Sequence, residues 1–236
     1  MRPRLSVVIP AYCEARNIAG TLENVTAALA TLPIDPEILV VDDGSSDGTA
    51  DVVRAWIRDH HDVPNIRLLV NERNMGFGRA YRRGVAEATG DFIVMVHGDN
   101  AWGAATLHDL FAQTGEADVV VGYTRAMWKS RTWTRTAISK TFTGLVNLIT
   151  RRHIQYYNGL QIHRADVLKR MTVESSGHGF QAEVLAKALR ETRTLTQVPM
   201  DLMEREHGRS KAFTLKNVLD VTRTILVLCR DGGPAR

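Results

Sequence analysis

Acidic residues follow two apolar runs of the chain, close to the point where each run ends. Asp42 and Asp43 follow residues 38–41, and Asp99 stands three residues after the run 92–96. Both runs have the length and composition of buried strands, and ligands of open α/β sheets bind at the carboxyl ends of strands. A carboxylate there can accept hydrogen bonds from a base or a sugar hydroxyl, and it can bind a divalent cation. The two turns therefore predict one ligand site between them.

A purely structural interpretation of these acids stays open. Asp42 and Asp43 could be turn residues, since Gly44 lets the chain turn sharply after them. Asp47 precedes the next helical segment and suits a helix N-cap.

A glycine-rich turn precedes another helical segment. Gly76 and Gly78 could form a phosphate-binding loop, although two glycines alone are a weak signal. Arg79 follows them and could reach a bound anion, or it could be a solvated arginine beside a tight turn.

Apolar periodicity predicts the elements that position these residues. Strands are predicted at 5–10, 37–41, 66–70, 91–96, 118–122, 160–163 and 195–199. Helices are predicted at 15–32, from 47 through 57, from 75 to about 88, and at 104–114, 125–152, 165–171, 180–192 and 215–229.

The alternation of strands and helices over the first 122 residues predicts an α/β fold. Short connections indicate βαβ units with right-handed crossovers and a mostly parallel, Rossmann-like sheet flanked by helices. Strands without polar alternation are expected where both faces of the sheet are covered. We predict a single domain over 1–236, with a ligand-binding part at 1–122 and an acceptor-side part at 123–236.

Composition excludes several classes of protein. The chain has 236 residues, 44% of them hydrophobic and 24% charged, which is ordinary for a globular protein. The net charge of +4 is too small to argue for a nucleic-acid polymer as partner, but it suits a phosphate-bearing ligand or an anionic membrane. Cys13 and Cys229 form no CxxC motif, and no apolar run is long enough for a transmembrane helix or a signal peptide. We therefore expect a cytoplasmic protein, or one peripheral at the cytoplasmic membrane face.

The segment 125–152 combines basic residues with an apolar face at helical spacing. One interpretation is a helix packed on the domain core. The other is a helix that rests on a membrane surface or on the apolar tail of a ligand.

Several blocks of the sequence resemble glycosyltransferase family 2. They are VVIPAYCE at 7–14, VVDDGSSDGT at 40–49, NMGFGRA at 74–80 and ATGD at 88–91. GFQAE at 179–183 and REHGRSK at 205–211 look like the dolichol- and polyprenyl-phosphate sugar synthases of that family. The resemblance covers roughly residues 5–215.

The resemblance implies a GT-A fold and a nucleotide-sugar donor, either GDP-mannose-like or a UDP-sugar. It implies donor-binding roles for Pro10, Tyr12, Glu14, Asp42, Asp43, Gly76, Arg79, Gly98 and Lys211. Acceptor or phosphate contacts are implied at Arg125, Arg131, Asn158, Gln181 and Ser210, and catalytic roles at Asp99, Arg205 and Glu183.

The metal motif departs from the family pattern. An Asp-x-Asp motif that binds a divalent cation is implied where this chain has His97-Gly98-Asp99, and Ala101 stands where relatives often carry glutamine. The implied cation is Mg²⁺ or Mn²⁺, and because Mn²⁺ tolerates imidazole, His97 and Asp99 could still bind it. Alternatively the ion binds weakly and is held mainly by the diphosphate, cationic side chains replace it, or His97 is structural.

The acceptor stays open at this stage. Family 2 enzymes invert the anomeric centre, and an alcohol acceptor requires a general base, for which Glu183 and Asp99 are candidates. A phosphate acceptor requires cations instead, such as Arg125, Arg131 or Arg205. The resemblance favours transfer to a polyprenyl or dolichyl phosphate. The alternatives are a soluble small-molecule acceptor and, third, a non-catalytic nucleotide-sugar-binding protein.

Overall fold

A computed structural model describes residues 2–61, 63, 65–124, 133–175, 177, 179–201 and 215–231. Residues 133–135, 138 and 215–221 are described by their backbone alone.

The described residues form seven strands and eight helices. The strands are β1 (Arg4–Ala11), β2 (Asp35–Asp42), β3 (Ile66–Val70), β4 (Phe92–Met95), β5 (Val119–Thr124), β6 (Gln161–Arg164) and β7 (Leu195–Met200). The helices are α1 (Ile18–Leu29), α2 (Thr49–Asp59), α3 (Phe77–Glu87), α4 (Ala104–Phe111), α5 (Trp133–Thr150), α6 (Ala165–Arg170), α7 (Phe180–Glu191) and α8 (Leu215–Arg230).

All seven strands join one sheet, in the order β3-β2-β1-β4-β6-β5-β7. The pairs β1–β2, β1–β4, β2–β3 and β5–β7 are parallel, whereas β6 is antiparallel to both β4 and β5. The predicted α/β class with a mostly parallel sheet is confirmed. Strands from both predicted parts of the chain pair in this sheet, because β6 and β7 come from residues beyond 122.

Helices cover both faces of the sheet. Val7 and Ile9 pack in a core cluster with residues of α1, α2 and α4. Val8, which alternates with them along β1, packs on the other face with residues of α3, α6 and α7. A third cluster continues that second face under β5 and includes residues of α5, α7 and α8. Two covered faces explain why the strands lack polar alternation.

The direction of β6 was not predictable from its four residues. Val121 of β5 pairs with Gln161, and Val119 pairs with His163, so β6 starts at the edge of the sheet where β5 ends. The turn before β6 therefore lies at the same edge as the carboxyl ends of the parallel strands. This reversal brings the second part of the chain to the predicted ligand site.

Most predicted elements agree with the structure within a few residues. The long helix predicted for 125–152 is present as α5, and the portion 125–132 lies outside the described residues. Within the described part of the chain, no helix has the length and apolarity to cross a bilayer. Both cysteines are free thiols.

A glycine allows α3 to lie close against β1. A Cβ atom at Gly84 would lie 2.3 Å from Cγ1 of Val8, whereas one at Gly144, in α5, would meet nothing within 4 Å. We expect Gly84→Val to lower the free energy of unfolding by about 1–3 kcal/mol more than Gly144→Val, because both changes alter helix propensity equally and only the first overpacks the core. Urea unfolding of both variants measures the difference. Equal stability of the two would show that α3 can move away from the sheet at little cost.

Candidate functional site

Four loops meet at one edge of the sheet. Three of them follow β1, β2 and β4, and the fourth precedes the antiparallel strand β6. The chain runs from β1 outward to β2 and β3, and then returns to place β4 on the other side of β1. This reversal of strand order creates the crevice in which α/β proteins bind ligands.

The loop after β1 is fixed by hydroxyl and carboxylate groups that follow β2. Ser45 Oγ accepts a hydrogen bond from the Cys13 N–H (2.9 Å), and Thr49 Oγ1 accepts one from the Glu14 N–H (2.9 Å). Asp47 accepts from the Ala15 N–H (3.0 Å) and from Thr49. The donor-site candidates Tyr12 and Glu14 therefore lie on a loop that is held in place by its neighbour, and Pro10 lies in β1, one residue before its end. Tyr12 is 49% exposed at this edge.

Asp47 has a positioning role. Burial disfavours its charged form, but the hydrogen bonds from Thr49 and the Ala15 N–H outweigh burial, so its pKa lies below the ordinary value. The carboxylate is thus ionised near neutral pH and holds two loops together. The structural interpretation of Asp47 agrees with these contacts, although its role extends beyond capping α2.

Asp42 is the last residue of β2, and its side chain is buried. Its Oδ1 accepts a short hydrogen bond from the Ser45 hydroxyl. Ser45 in turn accepts from Cys13, so Asp42 is connected to the loop after β1 through one hydroxyl group.

Asp43 is buried and holds the loop between β3 and α3. Its carboxylate accepts from Asn71 Nδ2 (2.7 Å) and from the backbone N–H groups of Met75 (2.9 Å) and Gly76 (2.8 Å). Three donors from this protein therefore contact the carboxylate oxygens, so Asp43 positions the loop between β3 and α3. Its contact with a nucleotide stays a prediction.

The glycine-rich turn is built around Asp43. The Gly76 N–H donates to Asp43 and to Asn74 Oδ1 (3.1 Å), and Gly76 has a φ of 88°, which favours glycine at this turn. Its contact with a donor phosphate stays a prediction. Gly44 lies beneath the same loop, since a Cβ there would lie 2.5 Å from the carbonyl carbon of Arg73. Arg79, in the first turn of α3, is exposed, and its side chain forms no ion pair with the described residues. It remains a candidate for contact with an anion.

The turn after β4 is fixed to β1 and to α1. Gly98 donates to the Pro10 carbonyl (3.3 Å), and a Cβ at Gly98 would lie 3.1 Å from that of Ala11. The Asn100 N–H donates to Thr21 Oγ1 (3.0 Å), and Asn100 Oδ1 accepts from Asn24 (2.9 Å). Asp99 lies between these two anchored residues, so its position is set by the backbone on either side.

His97 stacks on the first residue of α3. Its ring lies parallel to that of Phe77, with centroids 5.0 Å apart and an angle of 5° between the planes. Phe77 in turn makes an edge contact with Phe180 of α7, at 6.2 Å. The imidazole is therefore held in a defined place beside Asp99. Ala101 is buried in the core and has no polar side chain, so it offers no ligand.

The donor set at the end of β4 fits a divalent cation only in part. His97 and Asp99 can supply an imidazole nitrogen and carboxylate oxygens. Among the described residues, no group of three His, Cys, Asp or Glu side chains could hold an ion. An ion here would take its other ligands from a bound diphosphate and from water, as Mg²⁺ does at phosphate sites, and an imidazole ligand favours Mn²⁺ over Mg²⁺.

The turn before β6 carries the acceptor candidates. Gln181 Nε2 donates to the Gly159 carbonyl (3.2 Å), which connects the turn to α7. A Cβ at Gly159 would lie 1.9 Å from the Gly122 carbonyl oxygen, so only glycine fits against β5 there. Asn158 Oδ1 is buried and accepts no hydrogen bond within the described part of the chain. The structure thus connects the turn of Asn158 to Gln181, and contact of either residue with an acceptor stays a prediction.

Glu183 is fully buried in the first turn of α7. Its oxygens accept from the backbone N–H groups of Glu174 (2.9 Å) and Ser175 (2.8 Å), and Lys187 Nζ lies 2.8 Å away. Burial opposes ionisation, but Lys187 and these hydrogen bonds outweigh it and lower the pKa of Glu183. A buried, ionised and fully bonded carboxylate is unsuited to removing a proton from a substrate. We therefore revise its predicted catalytic role to a structural one.

Five predicted site residues, Arg125, Arg131, Arg205, Ser210 and Lys211, lie outside the described residues. Three residues that shape the site were not predicted: Ser45, Asn71 and Phe77. Asn71 had a usable signal, because it is a polar residue directly after the end of β3, as Asp42 and Asp43 are at the end of β2.

Comparison with the sequences of known protein families identifies the family of this chain. The sequence profile described as glycosyl transferase family 2 matches residues 6–176. The chain belongs to glycosyl transferase family 2. It is accordingly a glycosyltransferase.

Two curated relatives of this family 2 enzyme match almost its full length. It is 31% identical over 239 residues to the undecaprenyl-phosphate 4-deoxy-4-formamido-L-arabinose transferase of Enterobacter sp. (strain 638), covering 99% of this chain and 69% of the relative. It is 29% identical over 252 residues to the undecaprenyl-phosphate mannosyltransferase of Micrococcus luteus, and the match covers 99% of this chain and 98% of the relative.

Solved structures share the GT-A fold. A mannosyltransferase from Pyrobaculum calidifontis, in complex with GDP-Man and Mn²⁺, matches with a TM-score of 0.72 and 19% identity; the match covers 100% of this chain and 66% of the other. Glucosyl-3-phosphoglycerate synthase from Mycobacterium tuberculosis, in complex with Mn²⁺, UDP-Glc and phosphoglyceric acid, matches with a TM-score of 0.68 and 19% identity. This match covers 97% of this chain and 79% of the synthase. The match to the Pyrobaculum calidifontis mannosyltransferase spans just under two thirds of that enzyme's chain. At this identity the likeness establishes the fold alone.

The contacts of Asp43 predict the effect of its amide analogue. Asp43→Asn exchanges one acceptor oxygen for an NH₂ group, so at least one of the hydrogen bonds from Asn71, Met75 and Gly76 to this side chain is lost. We expect a loss of about 1–3 kcal/mol in the free energy of unfolding and weaker binding of nucleoside diphosphates. Asp51→Asn is the matched control, because Asp51 is exposed and forms an ion pair with Arg54, one turn along α2. Unfolding curves and calorimetric titration measure both effects, and equal behaviour of the two variants would contradict the positioning role.

The imidazole of His97 predicts a metal preference. We expect Mn²⁺ to bind the complex with nucleoside diphosphate more tightly than Mg²⁺ does, and His97→Asp to shift the ratio of the two affinities toward Mg²⁺ by about tenfold. Electron paramagnetic resonance of Mn²⁺, with competition by Mg²⁺, reads binding directly. Asp99→Asn should weaken both ions. An unchanged ratio in His97→Asp would place His97 away from the ion.

Proposed function

We propose that this glycosyltransferase moves a sugar from a nucleoside-diphosphate donor to the phosphate of a polyprenyl phosphate. Two independent lines support the proposal. Both curated relatives are named as undecaprenyl-phosphate sugar transferases, and they match nearly all of this chain. The contacts of Glu183 argue for the same kind of acceptor.

The state of Glu183 carries the choice of acceptor. An alcohol must lose a proton during transfer and requires a general base within reach. Of the two candidate bases, Glu183 is buried and fully bonded, and Asp99 is the predicted ligand of the cation. A phosphate monoester is already anionic near neutral pH, since its second pKa is about 6. It therefore requires no base from the protein.

The proposed reaction is a direct displacement. An oxygen of the acceptor phosphate attacks the anomeric carbon, and the bond from that carbon to the donor diphosphate breaks. The products are a sugar phosphodiester with inverted configuration and a free nucleoside diphosphate. A divalent cation bound at Asp99, with His97 as second ligand, would neutralise charge on the leaving diphosphate.

The donor is proposed to lie across the ends of β1, β2 and β4. The exposed side chain of Tyr12 offers a stacking surface for a base, and Asp42, which pairs with Ala11 at the end of β1, offers a hydrogen-bond acceptor. Arg79 is an exposed cation near the proposed diphosphate position. The acceptor phosphate is placed at the turn of Asn158, which the reversal of β6 brings to this edge.

Transfer of a radiolabelled sugar tests the proposal. A short polyprenyl phosphate, the corresponding polyprenol and 3-phosphoglycerate serve as acceptors, each with GDP- and UDP-sugars. We expect product with the polyprenyl phosphate alone. We expect Asp99→Asn to lower the rate of transfer at least about 100-fold, because this variant loses a group that stabilises charge in the transition state. Asp109→Asn, at an exposed position of α4, is the control.

Each other pattern of products has a definite meaning. Transfer to the polyprenol would contradict the argument from Glu183. Transfer to 3-phosphoglycerate alone would replace the lipid with a soluble phosphorylated acceptor.

A further inference from the structure

Exposed apolar side chains concentrate at two places on this protein. The structure describes six large exposed ones. Tyr12, Val70 and Met75 lie at the ligand edge, at or beyond the ends of β1 and β3. The other three lie on two helices far along the chain: Leu145 and Leu148 on α5, and Leu226 on α8. Leu148 is 76% exposed and Leu226 is 65% exposed, more than any other apolar side chain in this group.

The outward side of α5 is unlike that of an ordinary surface helix. Its exposed positions among described side chains are Ala137, Lys140, Thr141, Gly144, Leu145 and Leu148. Lys140 is the one charged group among these. A helix whose outer side faces only water usually carries charged residues there.

The two helices lie side by side over α7. Val146 of α5 and Leu228 of α8 pack in the same core cluster. Arg152, just beyond α5, donates to the Leu189 carbonyl (3.3 Å), and Arg190 donates to the Leu228 carbonyl (3.2 Å). The exposed leucines therefore project from one layer of the molecule. We call the surface formed by Leu145, Leu148 and Leu226 the α5–α8 face.

Positive charge accompanies this face. Lys140, Arg151, Arg152 and Arg223 are all exposed, and the sequence has no Asp or Glu from 133 to 153. Apolar side chains with flanking cations fit an anionic bilayer surface, which buries the former and attracts the latter. A second copy of this chain would bring cations against cations, so self-association fits less well.

We propose that the α5–α8 face docks this enzyme on an anionic lipid bilayer. This proposal rests on the proposed function: docking would bring the enzyme to its acceptor, because the phosphate of a polyprenyl lipid lies at the bilayer surface.

The inner side of α5 connects this face to the acceptor turn. Asn147 accepts from the Ile154 N–H (2.9 Å), and the Tyr157 hydroxyl lies 3.0 Å from both Asn147 Oδ1 and Thr150 Oγ1. Tyr157 immediately precedes Asn158. A bilayer on the outer side of α5 would therefore lie about one helix diameter, roughly 10 Å, from the proposed acceptor site.

Vesicle flotation without donor or acceptor tests the docking surface. The full chain is mixed with vesicles of phosphatidylglycerol and phosphatidylcholine, or of phosphatidylcholine alone. We expect binding to the anionic vesicles that weakens with salt, and a loss of about tenfold or more in Leu145→Glu/Leu148→Glu. Leu145→Gln/Leu148→Gln separates lost apolar contact from charge repulsion and should also bind more weakly. Ala105→Glu adds one negative charge at an exposed position on the opposite face of the sheet and should bind like the parent.

Two results would overturn the proposal. One is that the parent does not bind anionic vesicles, or that all variants bind equally. The other is that the parent is a dimer in solution while the leucine variants are monomers, which would make the face an interface between copies.

Activity assays separate this proposal from the proposed function. The leucine variants should transfer sugar to a short, water-soluble polyprenyl phosphate at the parental rate, and lose about tenfold with the long-chain lipid in vesicles. No transfer to either lipid, together with leucine-dependent vesicle binding, would refute the polyprenyl phosphate acceptor and leave the docking surface intact.

Discussion

The buried carboxylate of Asp43 organises the donor end of this glycosyltransferase. It lies at the end of β2 and accepts hydrogen bonds from Asn71, Met75 and Gly76, and its own N–H donates to the carbonyl of Ala11 at 2.8 Å. One residue therefore joins the ends of β1, β2 and β3 to the start of α3. Because a buried carboxylate is stable only when its oxygens are bonded, the loop cannot move without a large cost. The loop that we propose to bind the donor is in this sense held in place by the protein itself.

A second constraint is the direction of β6, which runs antiparallel to both of its neighbours although the other strand pairs of the sheet are parallel. It places the Asn158 turn opposite the donor loops, and Gln181 and Gly159 fix that turn against α7 and β5. Glu183 supports the same region from beneath by holding the backbone at Glu174 and Ser175. Glu183 thus serves to position backbone, and this agrees with the proposed acceptor, which supplies its own negative charge.

The two departures from the family metal pattern, Ala101 and His97, differ in their consequences for metal binding. Ala101 is simply part of the core, so its change removes a polar group without leaving a gap at the site. His97 is different, because its stacking on Phe77 holds a potential ligand beside Asp99. We therefore predict that any preference between Mn²⁺ and Mg²⁺ depends on this one side chain, which its aromatic neighbour holds in place.

The sequence by itself determined the α/β class, nearly all strands and helices, and the sheet edge at which the predicted acidic residues meet, because apolar periodicity and the position of acids after strands are local signals. It could not separate Asp42 from Asp43 or assign Glu183, since a carboxylate that binds ligand and one that holds backbone have the same local pattern. That distinction depends on donors distant in sequence, such as Asn71 and Ser175. The direction of β6 and the exposure of Leu148 were likewise decided by the tertiary structure, because each depends on which neighbour the element packs against.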